Sequence, residues 1–124
     1  MSPENDEIVD PCMLKIKPQI KLPDGTTSVI SHVGKVNLKN GLSLKDVLVV
    51  PSFKFSLLSV PKLTEDDQCV VSFYPKFCVV QDLKNKKVKG LGKKKAGLYH
   101  LVNVPLEEVD SVFTTLVTAT LVYE

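Results

Sequence analysis

The chain has 124 residues, 44% of them hydrophobic, which matches the size and apolar content of one globular domain. Its apolar runs are far shorter than the ~20 residues of a membrane-spanning helix, and its acidic start is unlike a signal peptide. We therefore expect no membrane partner and an intracellular, cytoplasmic location. All 16 bases are lysines, which disfavours the bidentate phosphate or guanine recognition that arginine provides.

Cysteine and histidine spacing gives no sign of a metal or catalytic centre. Cys12, Cys69 and Cys78 are odd in number and lack Cys-x-x-Cys spacing, so we expect free thiols. Cys69 and Cys78 lie on neighbouring predicted strands and would pair only if oxidised. His32 and His100 stand far apart, with no carboxylate or cysteine at ligand spacing. We predict no catalytic, metal-binding or cofactor-binding residue and no small-molecule substrate.

The N-terminal part reads as a leader followed by a hairpin. Residues 1–11 are polar and acidic, which predicts a flexible segment. Apolar and polar residues alternate over 14–22, as in a half-exposed strand, and Pro18 favours an edge position. The turn signal at 23–25 and the β-branched residues of 26–33 predict that a second strand returns.

The residue pattern of the central part, from 34 to 61, predicts a second hairpin and a strand-kink-helix unit. Asn-Gly at 40–41 is a strong hairpin signal, and Gly34 permits a bulge before it. Four aliphatic residues at 47–50 favour a buried strand that Pro51 ends. The Ser-Val-Pro of 59–61 then predicts a helix cap and a first helical turn.

The second half predicts more short strands and an ambiguous tail. Strands at 69–74 and 77–81 form another hairpin, a short strand around Val88 precedes a turn at 90–92, and a last strand covers 97–102. Apolar residues in the tail fall on one helical face, whereas four threonines after 113 favour a strand. We favour the helix.

The predicted fold class is mainly β. Short strands at close spacing favour a small antiparallel β-barrel, with one short helix and a helical tail. The predicted organisation is an acidic leader over 1–11, a β-barrel domain over 12–103 and a divergent tail over 104–124.

A lysine run is the one candidate binding feature. Seven of the 16 lysines fall within twelve residues, beside glycines that predict a mobile loop. One interpretation is a solvated hairpin edge that lysine protects against strand pairing. The other is weak, nonspecific attraction to nucleic acid or to an acidic protein, without interleaved aromatic residues. The lysines are Lys84, Lys86, Lys87, Lys89, Lys93, Lys94 and Lys95.

Several motifs resemble copia-type LTR retrotransposon Pol polyproteins, in the region of their retropepsin-like protease. The segment 44–63 resembles Leu-x-x-Val-Leu-Tyr-Val-Pro…Asn-Leu-Leu-Ser-Val-x-x-Leu of that family, with Val49, Ser56 and Pro61 as departures. The resemblance covers roughly 20–101 and includes Leu22-Pro23-Asp24-Gly25-Thr26, the Gly34-x-Val36-x-Leu38 row, Phe77-Cys78, Gln81-Asp82, Gly90-Leu91-Gly92 and Gly97-Leu98-Tyr99.

The resemblance implies a retropepsin-like β-barrel that lacks the residue for catalysis. The family carries its catalytic Asp-Ser/Thr-Gly-Ala motif upstream of this region, and Met1-Ser2-Pro3 resembles the end of the His-Met-Ser step that follows the motif. No Asp-Ser-Gly or Asp-Thr-Gly occurs in the chain, so we expect a truncated, non-catalytic module. It would bind a protein partner or form a homodimer. The alternative is a protease fragment whose catalytic strand is supplied upstream.

Overall fold

The computed structural model describes residues 1–3, 8–21, 25–52 and 56–123. Within these ranges the chain forms ten strands, two α-helices and a short 3-10 helix at Leu106–Glu108. The helices are α1 (Val60–Asp66) and α2 (Val109–Tyr123). The strands are β1 (Ser2–Pro3), β2 (Val9–Met13), β3 (Gln19–Lys21), β4 (Thr27–Val29), β5 (His32–Asn37), β6 (Ser43–Val49), β7 (Cys69–Phe73), β8 (Phe77–Asp82), β9 (Val88–Lys95) and β10 (Leu98–Leu101).

The strands form three sheets, which confirms the mainly β class. The orders are β1-β10-β9-β8-β7, β2-β5-β6 and β3-β4, and all pairings are antiparallel except that β1 runs parallel to β10. The prediction of a closed barrel is wrong for the described residues. The central five-stranded sheet is apolar on both faces, and such a sheet is buried by layers on either side rather than by curling around one core.

Each face of the five-stranded sheet packs against a different layer. Alternate residues of β8 illustrate this, because Val80 packs with β5, β6 and α1, whereas Val79 packs with the cluster that receives α2. The larger cluster includes Val36, Leu44 and Leu101, and all three are nearly or wholly inaccessible to solvent. The sheet is therefore the middle layer of the fold.

The predicted strand-kink-helix unit is confirmed. Strand β6 ends at Val49, and the backbones of Leu48 and Leu57 exchange two hydrogen bonds of 2.7 and 2.9 Å across the turn that follows. Ser59 caps α1 by accepting a hydrogen bond from the Lys62 amide, and Pro61 occupies the first helical turn. The departing residues Val49 and Pro61 are therefore compatible with this local geometry.

The hairpin and bulge predictions around Gly34 and Gly41 are also confirmed. Gly41 has a φ of +94° in the turn between β5 and β6, a conformation that glycine adopts without steric cost. The β5–β6 register shifts between Gly34 and Val36. The first predicted hairpin forms from β3 and β4, although the turn residues 22–24 lie outside the described residues.

Three local predictions need correction. The pair Gly90 and Gly92 lies inside β9 rather than in a turn, because neighbouring strands and side chains approach the backbone there. Ser2–Pro3 and Val9–Met13 are strands, so these residues are not a loose leader. The strand predicted over 14–22 is confined to β3.

The tail is helical, as favoured. Helix α2 places Val112, Phe113, Leu116 and Val117 against the second apolar cluster. Burial of that apolar face outweighs the strand preference of the threonines. Within the described residues, no helix has the length and apolar character needed to cross a bilayer.

Candidate nucleic-acid interface

The seven lysines of the run occupy two places at opposite ends of β9. Lys84, Lys86 and Lys87 lie in the β8–β9 turn, and the remaining four belong to β9 itself. From Lys89 to Lys94 the strand rises about 15–20 Å at the usual rise per residue. The predicted loop is therefore wrong for the four lysines of β9, whereas Lys84, Lys86 and Lys87 do lie in a turn. The interpretation as a protected edge is also wrong, because β9 is paired on both sides, with β8 and with β10.

The β8–β9 turn is organised by Asp82. Its Oδ1 accepts hydrogen bonds from the amides of Lys84 and Asn85, at 2.9 and 3.1 Å. Lys89 Nζ lies 3.6 Å from Asp82 Oδ2 and donates to the Asp67 carbonyl at 2.5 Å. The Asn85 and Lys84 amides, with the Lys89 ammonium, lower the pKa of Asp82. Lys89 therefore has structural contacts already.

The lowered pKa of Asp82 predicts an acid-dependent loss of stability. A carboxyl with a lowered folded-state pKa stabilises the fold above its unfolded-state pKa, and this contribution disappears as the pH falls through the folded-state value. Asp82→Asn keeps an acceptor oxygen but removes the charge, so wild type should be the more stable protein near neutrality. Urea unfolding at several pH values should show that the difference in free energy of unfolding between wild type and Asp82→Asn becomes smaller as the pH falls. A difference that stays constant through the acidic range would contradict this assignment.

The other end of the sheet carries an aromatic and basic surface, which we name the tip surface and define by five residues. Two hairpin turns meet there, since the Lys94 amide donates to the Lys76 carbonyl at 2.9 Å. The β9–β10 turn is tight, with Ala96 and Gly97 both at positive φ, the geometry of a type I′ hairpin. The tip surface consists of Phe73, Tyr74, Lys76, Lys94 and Tyr99.

The rings of the tip surface are held by defined contacts. Phe73 and Tyr99 meet edge to face with their centroids 5.0 Å apart, and Lys94 Nζ lies 5.7 Å from the Tyr99 centroid. The Tyr99 hydroxyl donates a hydrogen bond to the Tyr74 carbonyl. Tyr74 stacks on Phe77 at 4.8 Å. Even so, Phe73 is 50% and Tyr74 47% exposed.

The two segments that supply the tip surface contain basic but no acidic residues. No acidic residue occurs in 69–81 or in 88–106, whereas these segments contain five lysines, four of which lie at this end of the sheet. Lys94 shares a face with Phe73 and Tyr99, and Lys93 and Lys95 alternate to the face that α2 covers. The sequence reasoning missed the aromatic residues because they lie on β7 and β10, far from the lysine run along the chain. Their positions beside predicted hairpin turns were the available signal.

The remaining candidate groups have structural surroundings. Cys69 and Cys78 are buried free thiols, and burial raises both pKa values, that of Cys78 to about 11. A raised pKa leaves little thiolate at neutral pH, so neither thiol is activated as a nucleophile. His100 is buried in β10, and His32 Nδ1 lies 2.8 Å from Ser31 Oγ.

Comparison with known proteins confirms the resemblance to retrotransposon Pol. The chain is similar to the retrovirus-related Pol polyproteins from transposons RE2 and RE1 of Arabidopsis thaliana, with 34% identity over 83 residues in each case. The aligned part covers 64% of this chain and 6% of each relative, so the chain corresponds to a small part of those polyproteins. No family model and no solved structure matches.

Proposed function

We propose that this chain is a non-catalytic association module related to the protease region of copia-type Pol, and that it pairs with a second copy of itself. The similarity to Pol polyproteins supports the origin. The lack of any Asp-Ser-Gly or Asp-Thr-Gly triplet supports a role other than catalysis. An intracellular, cytoplasmic location belongs to the proposal and is supported by the free thiols Cys12, Cys69 and Cys78.

The outer edge of β7 is the observation that carries the proposal. Strand β7 is the last in the five-stranded sheet, and within the described residues no strand pairs with its outer side. Edge strands are usually protected by lysine, proline or a bulge. The five residues of β7 contain neither a charge nor a proline, and their pairing with β8 is regular.

A second copy fits this edge by antiparallel pairing. If the two-fold axis passes beside Val71, each Val70 lies opposite Ser72 of the second copy, and each Cys69 lies opposite Phe73 of the second copy. No like charges meet in this register, since β7 is uncharged. The pairing would extend the sheet from five strands to ten without altering either core.

Val70→Lys tests this interface. Val70 is 42% exposed, so the fold should tolerate a lysine that places two charges beside the pairing line. We expect wild type to sediment as a dimer. In sedimentation equilibrium, Val70→Lys should raise the dissociation constant of the dimer at least tenfold. Val29→Lys is the matched control, because Val29 is 40% exposed and lies on β4 of another sheet. A wild-type monomer at every concentration, or equal dissociation in both variants, would refute the interface.

A rival proposal is a fragment of an aspartic protease whose catalytic strand comes from another segment. It is supported by the small share of the Pol relatives, 6%, that this chain covers. Such an enzyme needs two carboxylates that share a proton and should cleave peptides in a pepstatin-sensitive manner at about pH 5. Pepstatin-sensitive cleavage that appears only when the chain is combined with a segment carrying an Asp-Ser/Thr-Gly strand would favour this proposal over the non-catalytic one.

Weak attraction to nucleic acid through the lysines of 84–95 is the other role that the sequence suggests. Because these lysines lie at both ends of β9, one continuous contact along the run is not supported by the geometry. Any such binding would use the turn at Lys84 or the tip surface around Lys94 separately.

A further inference from the structure

The sheet face that carries α1 has opposite charges at the two ends of β7. We propose that Lys94 of each copy attracts the acidic end of α1, at Glu65 and Asp66, in the second copy, and that this attraction selects the antiparallel homodimer. The attraction rests on the pairing of β7 edges proposed above. It makes a second copy of this chain the preferred partner of that edge, because only a partner with the same charge pattern matches both ends at once.

Acidic charge lies at the Cys69 end of β7, where α1 meets the strand. Cys69 Sγ donates a hydrogen bond to a backbone carbonyl of α1 at 3.6 Å, so α1 covers the sheet face onto which Cys69 projects. Glu65 and Asp66, in the last turn of α1, are both exposed. Lys62 of the same helix is held by Asp46 of β6 at 2.8 Å, so its charge is already matched. The end of α1 therefore presents negative charge to solvent.

Basic charge lies at the Phe73 end of β7, on the same sheet face. Strand pairing places Phe73 opposite Cys78 and Cys78 opposite Gly92, and Lys94 follows on β9 with its side chain on that face. The Phe73 and Tyr99 rings meet with centroids 5.0 Å apart, and Lys94 Nζ lies 5.7 Å from the Tyr99 centroid. Strands β7, β9 and β10 contain no acidic residue. This end of the face is therefore basic.

Antiparallel pairing of two β7 edges brings the unlike ends together. In the register centred on Val71, Phe73 of each copy lies opposite Cys69 of the second copy, and a two-fold axis perpendicular to the sheet keeps both α1 faces on one side. Lys94 is thereby placed toward Glu65 of the second copy, and symmetry repeats the approach. A parallel arrangement would bring like charges together. Because the Debye length falls from about 10 Å at ~0.1 M salt to about 3 Å at ~1 M, the dimer should weaken as salt rises.

Charge reversal at both positions tests the attraction in sedimentation equilibrium of the full chain. At low salt, Lys94→Glu and Glu65→Lys should each raise the dissociation constant of the dimer about tenfold, because each reversal replaces attraction by repulsion at two symmetric places. The double variant should regain nearly wild-type affinity. Lys95→Glu and Glu107→Lys are matched controls that should leave the constant unchanged, since Lys95 alternates to the other sheet face and Glu107 lies in the 3-10 helix before α2.

The outcomes separate this attraction from the edge pairing itself. A wild-type dimer that Val70→Lys dissociates, but that Lys94→Glu and Glu65→Lys leave unchanged, would overturn the attraction and leave the β7 interface in place. Weakening in both single variants without recovery in the double variant would also overturn it, because the two charges would then act independently. A wild type that stays monomeric at low salt would refute the interface and the attraction together. Circular dichroism confirms that each variant is folded.

Discussion

Gly92→Ala is expected to destabilise the protein by about 1–3 kcal/mol, with Cys78→Ala relieving much of the loss. A Cβ at Gly92 would lie 2.4 Å from Cys78 Sγ and 3.3 Å from the His100 carbonyl oxygen. The thiol cannot move far, because Cys78 is completely buried between paired strands. The clash must therefore be absorbed by the sheet.

A double-mutant cycle measures this steric coupling. Urea unfolding of wild type, both single variants and the double variant gives the interaction free energy directly. We expect the decrease in the free energy of unfolding of the double variant to be clearly smaller than the sum of the decreases in the two single variants. Gly90→Ala is the matched control, because its Cβ would first meet Leu42 Cδ1, the end of a flexible side chain, at 2.9 Å. Additive losses in the cycle would show that the thiol is not the obstacle.

Leu58→Ala should cost about 2–5 kcal/mol in the free energy of unfolding, and Leu57→Ala should cost less. Leu58 is 7% exposed and belongs to the larger apolar cluster with Leu63. Leu57 is only half-buried, and its two hydrogen bonds with Leu48 are made by the backbone, which alanine preserves. Truncation therefore opens a cavity at one position and removes partly exposed surface at the other.

Chemical denaturation of the two leucine variants tests whether Leu58 lies in the core and Leu57 lies at its margin. Both substitutions remove the same atoms, so each serves as the control for the other. Equal losses would mean that Leu57 contributes as much to the core as Leu58, contrary to their burial in the structure. A loss below about 1 kcal/mol for Leu58→Ala would mean that the cluster collapses around the missing side chain.

Local signals were sufficient for much of the secondary structure. The Asn-Gly turn at 40–41, the Ser59 cap and the apolar face of the tail each act within a few residues of the chain, and all three predictions are confirmed. Gly90 and Gly92 were misread because glycine marks a turn and a crowded strand equally well. Only the neighbouring Leu42 and Cys78 distinguish the two cases.

The composition of the tip surface could not be predicted from local sequence patterns either. The sequence shows seven lysines within twelve residues, and the neighbouring glycines led us to predict a loop there. Pairing of β9 with β8 and β10 separates them and brings Phe73 and Tyr99 beside Lys94. Residues 73 and 99 become neighbours only through the order of strands, which no local pattern specifies.

The sequence by itself determined the mainly β class, the hairpins, the capped helix after Pro51 and the similarity to retrotransposon Pol, because these depend on local backbone preferences and on residue identity. Only the tertiary structure decided that the strands form three sheets rather than a barrel, that β7 lies at an edge, and that aromatic and basic residues share one end of the sheet. The physical reason is that strand order and layer packing depend on how the apolar faces of the five-stranded sheet are covered by β5, β6 and α2, and these contacts join residues that are distant along the chain.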